Sequence, residues 1–147
     1  MKHFKIIIIS ILIALSSALY AQNNYISQYK TLASELSKEY GIPSSIILSI
    51  AFVETGGGTS KMSKVLKNHF GIVGKNTITK SKYKSFNSAQ ESYIAFCKII
   101  SKKKYYAELK GNNNHHEWIT AIANSGYSTN PTEWKKRLNY VITKFSL

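Results

Sequence analysis

The sequence predicts a mainly helical domain with a small β lobe. In most of the chain, apolar residues recur at three- and four-residue steps, which is the spacing of one face of an α-helix. Only the segment at residues 75–86, KNTITKSKYKSF, has the alternation and the Thr and Tyr content of a β-hairpin. A chain of 147 residues has room for one domain with a single core. We therefore expect one α+β domain in which helices dominate.

The beginnings and ends of the expected helices are marked by turn and capping residues. Gly41 ends the first helix, and Pro43 suits the first turn of the second, which is apolar on nearly every side, as a buried helix is. The sequences SAQE and NPTE are capping boxes that begin two later helices. The helices are expected at residues 24–39, 43–54, from 59 or 60 to about 66, 88–100, 118–124 and 130–145. The polar stretch GNNNHH at residues 111–116 predicts an exposed loop.

The first 21 residues have the pattern of a secretory signal peptide. Two lysines precede the apolar run Ile6–Leu15, and small residues follow it, with cleavage fitting either Ala18 or Ala21. A membrane anchor is the alternative, but the run is shorter than the roughly 18 to 20 apolar residues that a spanning helix needs. We expect residues 1–21 to be removed and residues 22–147 to form the exported domain, in the periplasm, cell envelope or extracellular space, without stable membrane insertion.

The chain is strongly basic, with 20 Lys and Arg residues against 7 acidic residues and a net charge of +13. Removing Lys2 and Lys5 with the leader lowers this charge to +11. Such a charge favours an anionic partner. Export, and a sequence without zinc-finger spacing, a GxxG clamp or an RNP-like motif, argue against nucleic acid. An anionic cell-wall polymer or a membrane surface fits the compartment better, and solubilising surface lysines are the alternative explanation.

The cysteine and histidine content points to neither disulfides nor metal. The only cysteine, Cys97, follows Phe96 in a helical pattern, where a buried thiol is the ordinary expectation. An exported fold without disulfides suits a bacterial envelope. His115 and His116 are adjacent, and no third ligand has a recognisable spacing, so we expect no metal and no cofactor. We expect the domain to be a monomer.

The chain contains no aspartate, so any carboxylate chemistry must use one of seven glutamates. Six of them have a surface or capping explanation, namely Glu35, Glu39, Glu91, Glu108, Glu117 and Glu133. Only one glutamate, Glu54, follows an apolar run, at the end of the second predicted helix. This setting singles out Glu54 as the candidate for chemistry.

Glu54 has the features expected of a general acid. Burial next to the apolar run would raise the pKa of its carboxyl group, and the C-terminal end of the helix dipole acts in the same direction. A carboxylic acid that stays protonated near neutral pH can protonate a poor leaving group such as a sugar hydroxyl. A buried glutamate paired with a lysine or with backbone is the alternative. The glycines at 56–58 end the helix, and they would also let a ligand approach the backbone closely.

Four segments together resemble a known family. They are YGIPSSIILSIAFVETGGGTS at residues 40–60, NHFGIVG at 68–74, YKSFNSAQESYIAF at 83–96 and SGYSTNPTEW at 125–134. Their order and spacing are similar to those of the peptidoglycan-cleaving endo-β-N-acetylglucosaminidases of glycoside hydrolase family 73. The resemblance covers about residues 40–145.

The resemblance implies a lysozyme-like helical fold with a substrate groove beside the β lobe, and hydrolysis of the β-1,4 bond between GlcNAc and MurNAc in peptidoglycan glycan strands. It implies that Glu54 is the general acid and that Tyr127 points into the groove beside the scissile bond. It also implies that Asn68, Phe70 and Gly71 shape the sugar-binding site. From the residues alone, a packing role for Tyr127 is equally ordinary, and a phenylalanine such as Phe70 is more often in the core than in a binding site.

One departure from the family concerns the second carboxylate. The family usually supplies it from the β lobe, roughly thirty residues after the first, but residues 71–90 contain no acid. Three explanations remain. The N-acetyl oxygen of the substrate attacks, or Tyr127 places the attacking water, or the domain binds glycan without cleaving it. A lytic transglycosylase, which also works with a single glutamate, is the alternative enzyme.

Overall fold

The computed structural model describes the backbone of residues 2–147, and the side chains of these residues except 2–15, 18, 19 and 21. The described residues form α1 (Lys2–Tyr40), α2 (Ser44–Thr55), α3 (Lys61–Leu66), α4 (Ala89–Ile100), α5 (Tyr106–Leu109), α6 (His115–Asn124) and α7 (Pro131–Phe145). Most side chains of the predicted signal peptide lie outside the described residues, so its cleavage stays a prediction. Within the described part of the chain, no helix has the length and apolar character needed to span a membrane.

Helix α2 is the central element of the fold. It packs against α1, α4, α6 and α7. Seven apolar side chains of this helix are buried, namely those of Ile46, Ile47, Leu48, Ile50, Ala51, Phe52 and Val53. Because burying one large aliphatic side chain stabilises a fold by about 1.5–3 kcal/mol, α2 makes a large contribution to the core. The prediction of a helix buried on nearly every side is confirmed.

Three predicted helix starts are confirmed by their capping hydrogen bonds. In each case a side-chain oxygen accepts a hydrogen bond from the backbone N–H three residues later. The pairs are Ser60 with Ser63 before α3, Ser88 with Glu91 before α4, and Asn130 with Glu133 before α7. The Glu91 carboxylate completes its cap by accepting hydrogen bonds from Asn87. Local sequence therefore determines where these helices begin.

Two predicted helix starts were wrong. Helix α1 begins at Lys2 rather than at residue 24, because no glycine or proline interrupts the chain before Gly41. Helix α6 begins at His115 rather than at residue 118, because Asn114 Oδ1 accepts a hydrogen bond from His116 N and caps it. The loop predicted at residues 111–116 therefore ends at Asn114. The short helix α5 was not predicted.

The predicted β-hairpin is not formed as a pair of strands. Within residues 72–84 the described backbone makes one isolated antiparallel bridge, between Val73 and Tyr83. Beyond it, the side chain of Asn76 takes the place of a ladder: its amide nitrogen donates to Ser81 O and Tyr83 O, and its oxygen accepts from nearby backbone N–H groups. An asparagine that bonds local backbone in this way competes with strand pairing. We call residues 72–84 the bridge loop.

Candidate active site

Glu54 lies in the last turn of α2, where the helix ends at Gly56 in the left-handed conformation. Its carboxyl group is half-buried. The indole nitrogen Nε1 of Trp134, on α7, donates a hydrogen bond of 3.0 Å to Glu54 Oε1. Trp134 is itself buried. Two helices that are eighty residues apart in sequence therefore fix the position of this carboxyl group.

The pKa of Glu54 is raised above its ordinary value. Burial is the largest cause, because removing water disfavours the charged carboxylate. The hydrogen bond from Trp134 and the positive charge of Arg137 act in the opposite direction and are smaller. The Arg137 guanidinium also donates to the carbonyl oxygen of Val53, which keeps it close to the end of α2. The net effect favours the protonated acid, as predicted from the apolar run.

The Glu54 carboxyl group opens into a cleft of about 560 Å³. Of the twelve residues that line the cleft, Glu54 is the only acid and Lys82 the only base. The lining residues are Glu54, Met62, Phe70, Gly71, Ile72, Val73, Lys82, Tyr83, Ile99, Tyr127, Ser128 and Thr129. Such a cleft falls within the size range of small-molecule and sugar sites. No second carboxylate faces Glu54 across it.

Tyr127 lines the cleft, and its hydroxyl group is bonded to the opposite wall. Tyr127 Oη donates a hydrogen bond of 2.9 Å to the carbonyl oxygen of Phe70. Its ring lies 5.3 Å from that of Trp134, between ring centroids. Burial, and then the charge of Glu54, raise the pKa of Tyr127 well above its ordinary value. The phenol therefore stays neutral and can donate or accept hydrogen bonds, but it is no base near neutral pH.

Asn68 and Phe70 support the cleft wall, to which the largely buried Phe70 itself belongs. Asn68 is fully buried, and its amide nitrogen donates to the carbonyl oxygens of Ile72 and Lys84 at 2.8 Å each. Its oxygen accepts from the backbone N–H groups of Phe70 and Ile72. The Phe70 side chain is only 3% exposed and stacks on Phe96. The arrangement gives both residues a position that supports the cleft wall.

Gly71 is the one glycine that faces Glu54. A Cβ atom at Gly71 would lie 3.6 Å from Glu54 Oε2, and the backbone φ of +66° is one that L side chains rarely adopt. The glycine run at 56–58 has a different reason. All three have positive φ, and a Cβ atom at Gly58 would lie 2.5 Å from the Tyr25 ring. None of the three lines the cleft, so the expected clearance for a ligand is not their role here.

Two residues that set the environment of Glu54 were not identified from the sequence. Trp134 is the last residue of the fourth motif and was assigned no role in the site, and Arg137 lies outside the four motifs. Both lie on α7, and nothing local in the sequence relates that helix to the end of α2. Among the described residues, no cluster of three His, Cys or Glu side chains could hold a metal ion.

Comparison with solved structures identifies the same fold. The catalytic domain of the autolysin Auto from Listeria monocytogenes matches with a TM-score of 0.72 and 22% identity, over 86% of this chain and 85% of that chain. The glycoside hydrolase domain of FlgJ from Salmonella typhimurium matches with a TM-score of 0.66 and 20% identity, over 85% and 88% of the two chains. The fold is thus the lysozyme-like helical fold, without the predicted hairpin.

Sequence comparison identifies the family. The chain is 24% identical over 149 residues to the exo-glucosaminidase LytG of Bacillus subtilis (strain 168), which covers 86% of this chain and 52% of that protein. The chain thus spans about half the length of this relative. Residues 30–147 match the glucosaminidase family, described as mannosyl-glycoprotein endo-β-N-acetylglucosaminidase. Because this match covers most of the chain and agrees with the four motifs, the chain belongs to the glucosaminidase family of glycosidases.

Proposed function

We propose that the chain is an exported peptidoglycan hydrolase that cleaves the β-1,4 bond between GlcNAc and MurNAc, with Glu54 as general acid. The observation that carries this proposal is the half-buried carboxyl group of Glu54, which opens into the cleft and whose pKa is raised by burial. A protonated acid at this position can donate its proton to the glycosidic oxygen as the bond breaks. The name of the Bacillus subtilis relative supports a glucosaminide substrate, and the resemblance of the four motifs supports peptidoglycan as its source.

The composition of the cleft wall favours attack by the substrate itself. With Glu54 as the only acid in the cleft, neither a carboxylate nucleophile nor a carboxylate base is present there. A 2-acetamido sugar carries a carbonyl oxygen that can bond to C1 while Glu54 protonates the departing oxygen. Water then attacks C1, the bond to the acetamido oxygen breaks, and the proton of that water returns to Glu54.

Tyr127, Gly71 and the supporting residues have defined places in this proposal. In this proposal the neutral hydroxyl group of Tyr127 orients the acetamido group or the attacking water, which is supported by the place of Tyr127 in the cleft wall. Gly71 leaves space beside Glu54 Oε2 for the sugar ring. Asn68 and Phe70 hold the segment that carries Gly71, so they shape the sugar site.

A lytic transglycosylase is the second candidate, and the same single acid in the cleft favours it. In that reaction the 6-hydroxyl group of MurNAc attacks C1 and the product is an anhydro sugar. A domain that binds glycan without cleaving it is the third possibility. The three differ in the new chain ends that they produce.

Digestion of purified sacculi, with mass spectrometry of the released fragments, distinguishes these functions. We expect reducing GlcNAc ends, and a loss of about 100- to 10,000-fold in rate for Glu54→Gln, the usual range for removing a general acid. Glu35→Gln, an exposed change on α1, is the matched control and should digest like wild type. Anhydro-MurNAc ends would instead assign the transglycosylase, and undigested sacculi would assign a binding domain.

A further inference from the structure

A second cavity, of about 450 Å³, lies on the far side of α3 from the cleft. Met62 lines the cleft, whereas the next residues of α3, Ser63 and Lys64, line this cavity, and the two share no lining residue. The cavity is lined by Tyr25, Gln28, Tyr29, Gly58, Ser63, Lys64, Lys67, His69, Asn87, Ser88 and Ala89. We call it the α3 cavity. None of its residues has a place in the proposed mechanism.

The floor of the α3 cavity is built from buried polar side chains. Tyr25 and His69 are each only 4% exposed, and Tyr25 Oη lies 2.7 Å from His69 Nδ1. Tyr25 Oη also lies 3.1 Å from Tyr93 Oη. Tyr29 packs edge-on against the His69 ring, with 5.0 Å between centroids, and provides an aromatic wall. Interactions of this kind fix the orientation of the histidine ring.

One nitrogen of the His69 ring is available to a ligand. Of the hydrogen bonds among the described residues, the only one that His69 makes through its ring uses Nδ1. Among the described residues, Nε2 has no hydrogen-bond partner. Because His69 lines the α3 cavity, Nε2 is the ring nitrogen left to bind a ligand there.

The rim of the α3 cavity is positively charged. Lys64 and Lys67 are exposed, and no lining residue is acidic. The one ion pair of the described residues is Lys136 with Glu133, so neither rim lysine has a carboxylate within 4.0 Å. Glu91, the acid near this rim, bonds Asn87 instead. Burial, and the charge of Lys67, lower the pKa of His69 to about 4, which keeps the ring neutral at pH 7.

We propose that the α3 cavity is a second ligand site that binds an oxyanion, a carboxylate or a phosphate group, through Lys64, Lys67 and His69 Nε2. The hydroxyl groups of Tyr93 and Tyr25 can donate in sequence toward His69 Nδ1, which leaves the proton on Nε2 as a donor into the cavity. The neutral N–H donor of His69 and the two lysine cations suit an anionic oxygen acceptor.

The test follows the imidazole signals of His69 by NMR while acetate or inorganic phosphate is added to the purified protein. We expect a saturable shift with at least one of the two anions. Lys67→Gln and Lys64→Gln should each weaken binding about five-fold, since a charge near 4 Å is worth roughly 1 kcal/mol or more. Lys61→Gln is the matched control, because Lys61 is on the same helix but does not line the cavity.

The outcomes separate the possible ligands and the possible failure. Tighter binding of acetate assigns a carboxylate ligand, and tighter binding of phosphate assigns a phosphate ligand. A shift that does not saturate, or that persists unchanged in both lysine variants, would show ionic screening only and would overturn the proposal. Glu54→Gln should bind the anion like wild type, so this site and the proposed hydrolysis can fail independently.

Discussion

At the scale of single residues, the hydrogen bond between Trp134 and Glu54 determines how the proposed acid works. The bond has two effects, because it fixes the direction of the carboxyl group and it lowers the pKa that burial has raised. A general acid must be protonated in the resting enzyme, so activity is lost as the pH rises through the pKa of Glu54. Any change that disfavours the carboxylate moves this loss to higher pH.

We therefore predict that Trp134→Phe moves the alkaline limb of the pH–activity profile to higher pH. The variant keeps an aromatic ring in the core but removes the donor that stabilises the carboxylate. We also expect kcat/KM at the optimum to fall roughly ten-fold, because a freely rotating carboxyl group is misplaced more often. Both values come from digestion rates measured across pH.

Trp118→Phe is the control for this prediction. Trp118 is fully buried, and its indole nitrogen donates to the carbonyl oxygen of Asn112, outside the cleft. The two variants thus lose the same donor group and comparable packing. If Trp118→Phe moved the alkaline limb as far as Trp134→Phe, the shift would reflect general destabilisation, and the positioning role of Trp134 would be refuted.

The sequence was informative about Glu54 because the relevant pattern is local. An acid at the end of an apolar helix is predicted to be buried, and in the structure the Glu54 side chain is half-buried. The partners of Glu54 were not predictable in this way. Trp134 and Arg137 approach it through the packing of α7 on α2, which depends on the whole core and leaves no local signature.

At the scale of elements, the bridge loop is held by the Asn68 side chain together with the single backbone bridge between Val73 and Tyr83, rather than by a pair of strands. The four hydrogen bonds of the Asn68 side chain join the segment 68–72 to residue Lys84 at the far end of the loop. The Thr and Tyr content of residues 75–86 suggested strands. An alternation pattern in the sequence does not reveal hydrogen bonds that side chains make to the backbone. The loop therefore occupies the predicted place of the β lobe with a different internal structure.

We predict that Asn68→Ala lowers the free energy of unfolding by about 2–4 kcal/mol, because buried backbone groups lose their partners. Urea unfolding measures the change. Asn76→Ala is the comparison, since Asn76 also bridges the loop but is partly exposed, so water can replace its bonds. We expect that variant to lose less than about 1 kcal/mol. Equal losses would contradict the supporting role of Asn68.

The glycine run that ends α2 leads to a second prediction at this scale. Gly58 and Gly111 both have φ +82°, but a Cβ atom would strike the Tyr25 ring at Gly58 and meet nothing within 4 Å at Gly111. Gly111→Ala should therefore lower the free energy of unfolding by about 1–2 kcal/mol, because alanine disfavours the left-handed backbone. Gly58→Ala should cost at least about 1 kcal/mol more, because of overpacking. Thermal unfolding of both variants checks this, and equal costs would show that Tyr25 yields freely.

At the scale of the whole molecule, charge is the dominant feature. The net charge of the sequence is +13. The described side chains form a single ion pair, between two exposed groups that are 4.0 Å apart, so most of the described lysines have no carboxylate this close. An exposed pair of this kind contributes little to stability. The positive surface is thus available for long-range attraction to an acidic polymer, while the cleft is the sugar site that we propose.

We predict that binding to sacculi weakens steeply as NaCl rises from about 0.1 to about 1 M, over which the screening length falls from about 10 to about 3 Å. Pull-down of the Glu54→Gln variant measures binding without digestion. Hydrolysis of an uncharged chitin oligosaccharide by wild type should change little over the same range, since it does not depend on long-range attraction. A comparable salt effect on both would argue that salt acts on the fold.

The contact between Trp134 and Glu54 also bears on when the site forms during synthesis of the chain. Helix α7 leaves the ribosome after α2, and the indole that donates to the Glu54 carboxyl group belongs to it. A nascent or truncated chain that ends before residue 131 has the acid but not its partner. During synthesis the Glu54 carboxyl group therefore receives this hydrogen bond only after α7 has packed on α2.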